Sequence, residues 1–114
     1  MLPAPSRLTL PTDFQLVMRR GSRAGRNTVV VHLALTGDAK RMAGFAVSKA
    51  VGGAVVRNRV KRRLRAIMTD LLGTLPEGTK VVVRALPASA RATFAELDAD
   101  VRGATLSALA KVSA

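Results

Sequence analysis

The stretch Ala54-Val-Val-Arg-Asn-Arg-Val-Lys-Arg-Arg-Leu-Arg-Ala-Ile-Met-Thr-Asp-Leu-Leu72 separates into two faces when wound as an α-helix. Val56, Val60, Leu64, Ile67, Met68 and Leu71 recur at spacings of three and four and form one apolar stripe. Asn58, Arg59, Lys61, Arg62, Arg63 and Arg65 spread over the remaining arc, with Arg57 at the stripe's edge near the start. The pattern predicts a helix over 54–72 that lays its stripe on a sheet and ends at Gly73 as C-cap.

Working outward, Met42 to Val47 reads as a strand before this helix, joined to it by Ser48-Lys-Ala-Val-Gly-Gly53. After it come the turn Pro76-Glu-Gly78 and a strand, Lys80-Val-Val-Val-Arg-Ala-Leu86, stopped by Pro87. The helix is therefore bracketed as a β-α-β unit, which general chain chirality would make right-handed. Upstream, Thr28 to Leu35 is rich in β-branched residues and reads as a strand paired in a hairpin with Met42–Val47 through the turn at Gly37-Asp38. Thr12 reads as the N-cap of a helix from Asp13 to about Arg20, with Phe14, Val17 and Met18 on one face, and Ser22 to Asn27 as a loop. Ser89 is expected to cap a last helix over 91–112, with Phe94, Leu97, Val101, Leu106 and Leu109 inward. Residues 1–11 form a Pro-rich lead-in, extended or mobile. The order helix, strand, strand, helix, strand, helix predicts a single α+β domain over 1–114, an α-β sandwich with helices packed on one small sheet.

Charge then narrows the partner. The chain carries 19 Lys plus Arg against 7 Asp plus Glu, a net +12 on 114 residues. Such an imbalance repels itself, and a polyanion relieves it. Between Asp38 and Asp70 there are nine Lys or Arg and no acid. A helix face that is merely solvated mixes signs, because opposite charges four apart stabilise it by a few tenths of a kcal/mol and like charges do the reverse. The basic residues also crowd the N-terminal half, the wrong end for the helix dipole. Phosphate binding by the planar forks of arginine explains both features. Gly52-Gly53 can be read either as a phosphate-docking helix start or as a plain flexible turn.

Other classes find little support. With no cysteine and one histidine, thiolate and multi-histidine metal sites are excluded. No apolar run is long enough to span a bilayer, the N-terminus lacks a signal-peptide core, and a cytoplasmic location is expected. An amphipathic membrane binder would need its apolar face free, but the sheet requires that face. The acids are scattered: Glu96 and Asp100 lie four apart on the last helix, Asp98 points elsewhere, and a solvated face accounts for them. His32 stands outside any cluster and reads as structural or surface. Phe45 and Phe94 read as core, while Phe14 fits core or ligand contact alike. A binding protein is expected rather than a catalyst.

At Ser48-Lys-Ala-Val-Gly-Gly-Ala-Val-Val-Arg-Asn-Arg-Val-Lys-Arg-Arg-Leu-Arg65 the chain resembles the bacterial ribonuclease P protein family, whose signature is Arg-Asn-Arg followed by Lys-Arg and a further Arg. Phe45-Ala-Val-Ser-Lys49, Arg7-Leu8, Asp13-Phe-Gln15 and Val81-Val-Val-Arg-Ala-Leu-Pro87 extend the likeness over nearly the whole chain. The resemblance implies a small mixed sheet of about four strands, ribosomal protein S5 domain 2-like, with a left-handed β-α-β crossover. It implies the protein subunit of an endoribonuclease that removes the 5′ leader of precursor tRNA. Catalysis would belong to the RNA subunit and its magnesium ions, with no cofactor held by the protein. The implied partners are ribonuclease P RNA, one protein per RNA, and precursor tRNA, with no membrane. Lys49, Arg57, Asn58, Arg59, Lys61, Arg62 and Arg65 match the family's RNA-contacting positions. Phe14 matches an aromatic of the leader cleft; Met18 stands where a second aromatic is usual, and Val31 is expected to offer an apolar wall. The chain is thus expected to hold leader more by charge than by stacking. A general structured-RNA-binding or ribosome-associated protein is the alternative, since it would share the charge.

Overall fold

The segment Val29-Val-Val-His-Leu-Ala-Leu35 is apolar at every position but His32, as suits a strand with both faces covered. In the computed structural model, which describes residues 2, 4–8 and 11–113, this segment is one of two central strands. The elements are α1 (Pro11–Arg20), β1 (Ser22–Gly25), β2 (Val29–Leu35), β3 (Met42–Ala46), α2 (Ala54–Leu71), β4 (Thr79–Ala85) and α3 (Phe94–Ser113). Short 3₁₀ turns lie at Ala4–Ser6, Leu72–Thr74 and Pro87–Ala90. The mixed sheet has the order β1-β2-β4-β3, with β3 parallel to β4 and the other pairs antiparallel.

This order corrects the expected hairpin. β2 and β3 are neighbours in the chain but not in the sheet, because β4 inserts between them. Thr79–Ala85 is buried everywhere except Arg84, as a central strand requires, whereas the shorter Met42–Ala46 suits an edge. The β2–β3 connection is held on the turn before β4: the Thr36 backbone N–H and hydroxyl both donate to the Gly78 carbonyl, at 2.9 and 3.0 Å. Gly78 has φ +82°, and a Cβ there would lie 2.3 Å from the Thr36 carbonyl oxygen, so only glycine fits this junction. Ser22–Gly25, expected as loop, is the β1 edge strand. Its hold on α3 includes the Ser22 hydroxyl, which donates to the Ala108 carbonyl.

The two faces of the sheet bury unequal cores. Val29, Val31 and Leu33 of β2, with Val81, Val83 and Ala85 of β4, meet Val60, Leu64, Ile67 and Met68 of α2 and Leu97, Val101, Ala104 and Ala108 of α3. The α2 stripe therefore packs as its spacing predicts. On the opposite face, Ala34 and Val82 meet Leu8 and Val17, with Phe14 and Met42 alongside. α1 is thus the lone helix on its side.

Several ends differ from expectation. α1 begins at Pro11, so Thr12 lies inside its first turn rather than capping it. α2 does not stop on Gly73; Leu72 keeps helical angles and leads into the 3₁₀ turn, which carries Leu72 and Leu75 into the core. α3 starts at Phe94 behind a reciprocal cap: Glu96 N–H donates to Thr93 Oγ1 at 3.1 Å, and Thr93 N–H to the Glu96 carboxylate at 2.9 Å. Ser89 closes the preceding 3₁₀ turn instead, donating to Leu86 O. The inward face of α3 is Leu97, Val101, Ala104, Thr105 and Ala108, while Phe94 and Leu106 are 45% and 58% exposed and are not core. Small residues win there because they let the helix approach the sheet closely. The lead-in is docked rather than mobile in its described part. Leu2 and Leu8 are buried, and Leu8 N–H donates to Ala43 O at 2.8 Å. Met1, Pro3, Thr9 and Leu10 lie outside the described residues.

Candidate nucleic-acid interface

With its stripe pressed on the sheet, α2 turns Asn58, Lys61, Arg62 and Arg65 outward around one groove that also includes Ala66. Lys61 and Arg65 continue past the helix to border a second depression with Arg7, Phe14, Gly44 and Phe45. Two segments far apart in sequence thereby share a surface. The join depends on Gly44: a Cβ on it would lie 2.5 Å from Phe14 Cζ, so the bare backbone lets the ring settle over the β3 edge. No residue lining either groove is acidic. Arg7, whose Nε donates to Leu2 O at 3.0 Å, enters this surface without having been singled out by its motif.

The remaining matched positions divide. Lys49 is exposed on the turn leading into α2. Arg57 is half-buried, with its Nε shielded and without a hydrogen-bond partner. Arg59 turns toward the other flank of the helix, where its Nη2 donates to Ala90 O at 2.8 Å. One turn on, Arg63 Nη1 donates to Ala92 O at 3.1 Å. These two arginines pin α2 to the chain entering α3, so the structure gives Arg59 a scaffold contact and not membership of the open groove.

In the expected leader cleft, Phe14 is half-buried and Met18 is 39% exposed. Val31 is not part of it: the side chain is fully buried in the core under α2 and α3. Strand alternation puts Val30 and His32 on the α1 side instead. His32 is buried, and burial, then Arg84, then Arg23, hold its imidazole below the usual histidine range. Sequence parity carries little signal here, because every residue of the strand but His32 is apolar.

Four of the seven carboxylates serve the scaffold. Glu96 caps α3, Asp98 pairs with Arg102 at 2.9 Å, and Asp100 accepts from the Thr28 N–H and hydroxyl at 3.2 and 2.6 Å. Asp38 accepts from Lys40 N–H and lies 3.5 Å from Lys80, and these contacts, the Lys40 hydrogen bond foremost, hold its carboxyl below the usual range. Among the described residues no three His, Asp or Glu gather as metal ligands, and no helix is long and apolar enough to cross a membrane. A cationic helix face running into an aromatic-edged depression, neither lined by an acid, on an α+β scaffold defines a polyanion-binding domain.

Comparison with known proteins makes the class specific. The ribonuclease P family model matches residues 2–109. The chain is 56% identical over 109 residues to the ribonuclease P protein component of Beutenbergia cavernae, covering 94% of this chain and 91% of that one. It is 50% identical over 113 residues to that of Streptomyces avermitilis, covering 91% and 92%. Among solved structures, the RNase P protein of Staphylococcus aureus superposes with TM-score 0.80 at 25% identity, covering 94% of this chain and 96% of that one. The Thermotoga maritima protein, in complex with 1-(4-fluorophenyl)-2-thiourea, gives 0.76 at 27% identity, covering 85% and 94%. The chain belongs to the ribonuclease P protein family.

Proposed function

We propose that this chain is the protein subunit that docks on ribonuclease P RNA through the α2 groove and holds the 5′ leader of precursor tRNA beside α1. The observation carrying this reading is the continuity of the Asn58–Lys61–Arg62–Arg65 groove with the Phe14 depression, through Lys61 and Arg65. One end of that surface carries Lys61, Arg62 and Arg65 and no acid, and suits the phosphates of a folded RNA, where counterion release supplies the affinity. The other end sets the Phe14 and Phe45 rings beside Arg7 and the β3 edge, and suits an unpaired strand. Endonucleolytic removal of the leader is the work of the RNA and its magnesium ions. The protein raises affinity for precursor over mature tRNA, one protein per RNA, in the cytoplasm.

The test is cleavage of precursor tRNA by a bacterial ribonuclease P RNA at low magnesium, with and without the protein. Strong stimulation that disappears in the Lys61→Ala/Arg62→Ala/Arg65→Ala triple variant supports the reading. A folded protein that binds RNA yet gives no stimulation refutes it and leaves a general RNA-binding domain.

A further inference from the structure

β1 is an edge strand, and of its outward backbone groups only the carbonyls are occupied. Arg26 N–H donates to Val29 O at 2.8 Å, so the backbone of residue 26 faces β2. Alternation along the antiparallel pair turns Ser22 and Ala24 toward β2 as well, and Arg23 and Gly25 away from the sheet. Lys111 Nζ of α3 donates to Arg23 O at 2.6 Å, and Arg26 Nη1 donates to Gly25 O at 3.1 Å. The outward N–H groups of Arg23 and Gly25 have no acceptor among the described residues. What remains along this edge is a row of donors.

That asymmetry selects the partner. A further β-strand needs acceptors as well as donors on the edge it joins, so pairing with another protein chain is disfavoured. A phosphodiester backbone offers acceptors, and it is the polyanion that a chain of net charge +12 draws. The cations stand ready for it. Arg26 lies over Gly103, where a Cβ would come 3.2 Å from its Nε, and its Nη2 donates to Ser107 Oγ at 3.0 Å. Its guanidinium is thereby held beside the edge, and both it and the Lys111 ammonium keep further N–H donors. Arg23, Gly25, Arg26 and Lys111 are all exposed. No acid occurs in residues 21–28 or 103–114, and the carboxylate at this end of β2, Asp100, is engaged by Thr28.

We propose that the β1 edge is a second contact with ribonuclease P RNA, gripping its phosphodiester backbone through the Arg23 and Gly25 N–H groups and the Arg26 and Lys111 cations. The proposal rests on the RNA-docking reading above and adds a surface separate from the α2 groove. α2 touches β3, whereas α3 underlies β1 and β2. β1 and β3 are opposite edges of the sheet, about 14 Å apart at three inter-strand spacings. A large folded RNA presents phosphates on several sides and reaches both surfaces. A strand lying in the Phe14 depression borders β3 and is across the sheet from β1. Two separated contacts fix the orientation of the protein on its RNA, and each raises the effective concentration of the other.

The experiment is equilibrium binding of the full chain to a bacterial ribonuclease P RNA, without tRNA, at several salt concentrations. Gly25→Pro deletes one edge N–H and keeps the charge, and proline is tolerated where the N–H faces away from the ladder. Gly25→Ala is its control, since a Cβ there meets only Val30 Cγ2 at 3.9 Å. Arg26→Gln/Lys111→Gln removes the cations and decides the question alone if thermal denaturation shows the proline variant unfolded. Gly25→Pro is expected to bind about fivefold more weakly at an unchanged salt slope, and Gly25→Ala like native protein. The double variant is expected to bind more weakly, with the slope lower by about two. Native affinity and slope in the folded variants overturn the edge contact, and so does a loss that appears only when precursor tRNA is added. Loss of binding in Lys61→Ala/Arg62→Ala/Arg65→Ala alongside either result leaves the docking reading standing. Native protein that binds an unrelated structured RNA equally well brings down both.

Discussion

Arg59 and Arg62 lie three residues apart on one helix and look interchangeable in the sequence, yet the structure assigns them opposite consequences on mutation. Arg59 Nη2 donates at 2.8 Å to the Ala90 carbonyl, clamping α2 to the turn before α3, while Arg62 lines the open groove. A hydrogen bond from a charged donor contributes about 1.5–3 kcal/mol. Truncating Arg59 also removes its shielded, unpaired Nε, which offsets part of the loss. Arg59→Ala should therefore destabilise the fold by about 1–2 kcal/mol, lowering Tm by roughly 4–8 °C for a domain near this size. Arg62→Ala should leave Tm within about a degree, since surface substitutions away from structural contacts change stability little. Its cost appears in RNA binding: the plot of log K against log salt should flatten by about one. Between about 50 and 200 mM salt, that flattening shrinks the native-to-variant affinity ratio by about fourfold. Thermal denaturation of each protein, with ribonuclease P RNA titrations at several salts, measures both quantities. An unchanged Tm for Arg59→Ala together with a slope lowered by one would show its guanidinium on RNA and refute the division.

Three further outcomes follow from particular contacts. Leu64 is fully buried between α2 and the sheet, so Leu64→Ala should cost about 2–5 kcal/mol, read as a lower urea midpoint at unchanged m value. Gly44→Val drives a side chain into Phe14, and should cost about 1–3 kcal/mol while reducing precursor-over-mature preference; retained preference would separate the ring from the leader path. Because His32 titrates below its ordinary 6.5 in the folded chain, the unfolded chain binds the extra proton first as the pH drops. Stability should therefore be unaffected by this group above about pH 7, fall as the pH passes below 6.5, and level off beneath the folded pKa. Denaturant titrations of native protein and His32→Gln across that range should diverge at low pH, and parallel curves would exclude the effect.

The parts of this molecule legible in its sequence are those where one face is apolar and the other is not. α2 carries that contrast over five turns, and both its stripe and the Asn58, Lys61, Arg62 and Arg65 groove fall where the spacing puts them. Where contrast fails, so does inference. Both faces of β2 are covered, so its parity does not tell that Val31, expected as an apolar wall of the cleft, lies in the core under α2 and α3. Along α3 the inward positions are mostly Ala and Thr, and the large Phe94 and Leu106 point out; volume, not hydrophobicity, decides that face. β1 has the composition of a turn, Ser-Arg-Ala-Gly, and is a strand only because β2 offers it an edge. Arg59 illustrates the limit for the site, since a cation bound to a carbonyl and a cation facing an open groove have the same letter.

The insertion of β4 between β2 and β3 also sets a timetable. A ribosome releases β2, β3 and the whole of α2 before the strand that joins them exists. Until Thr79–Ala85 emerges, β2 and β3 have no common neighbour, and α2 is a strongly cationic helix with its oily side uncovered. The last third of the chain thus governs whether the first two thirds have anywhere to fold. Such long-range closure makes assembly slow. It also leaves the newborn chain most exposed when its arginines are already out and RNA, the anion it is built to meet, is all around the exit.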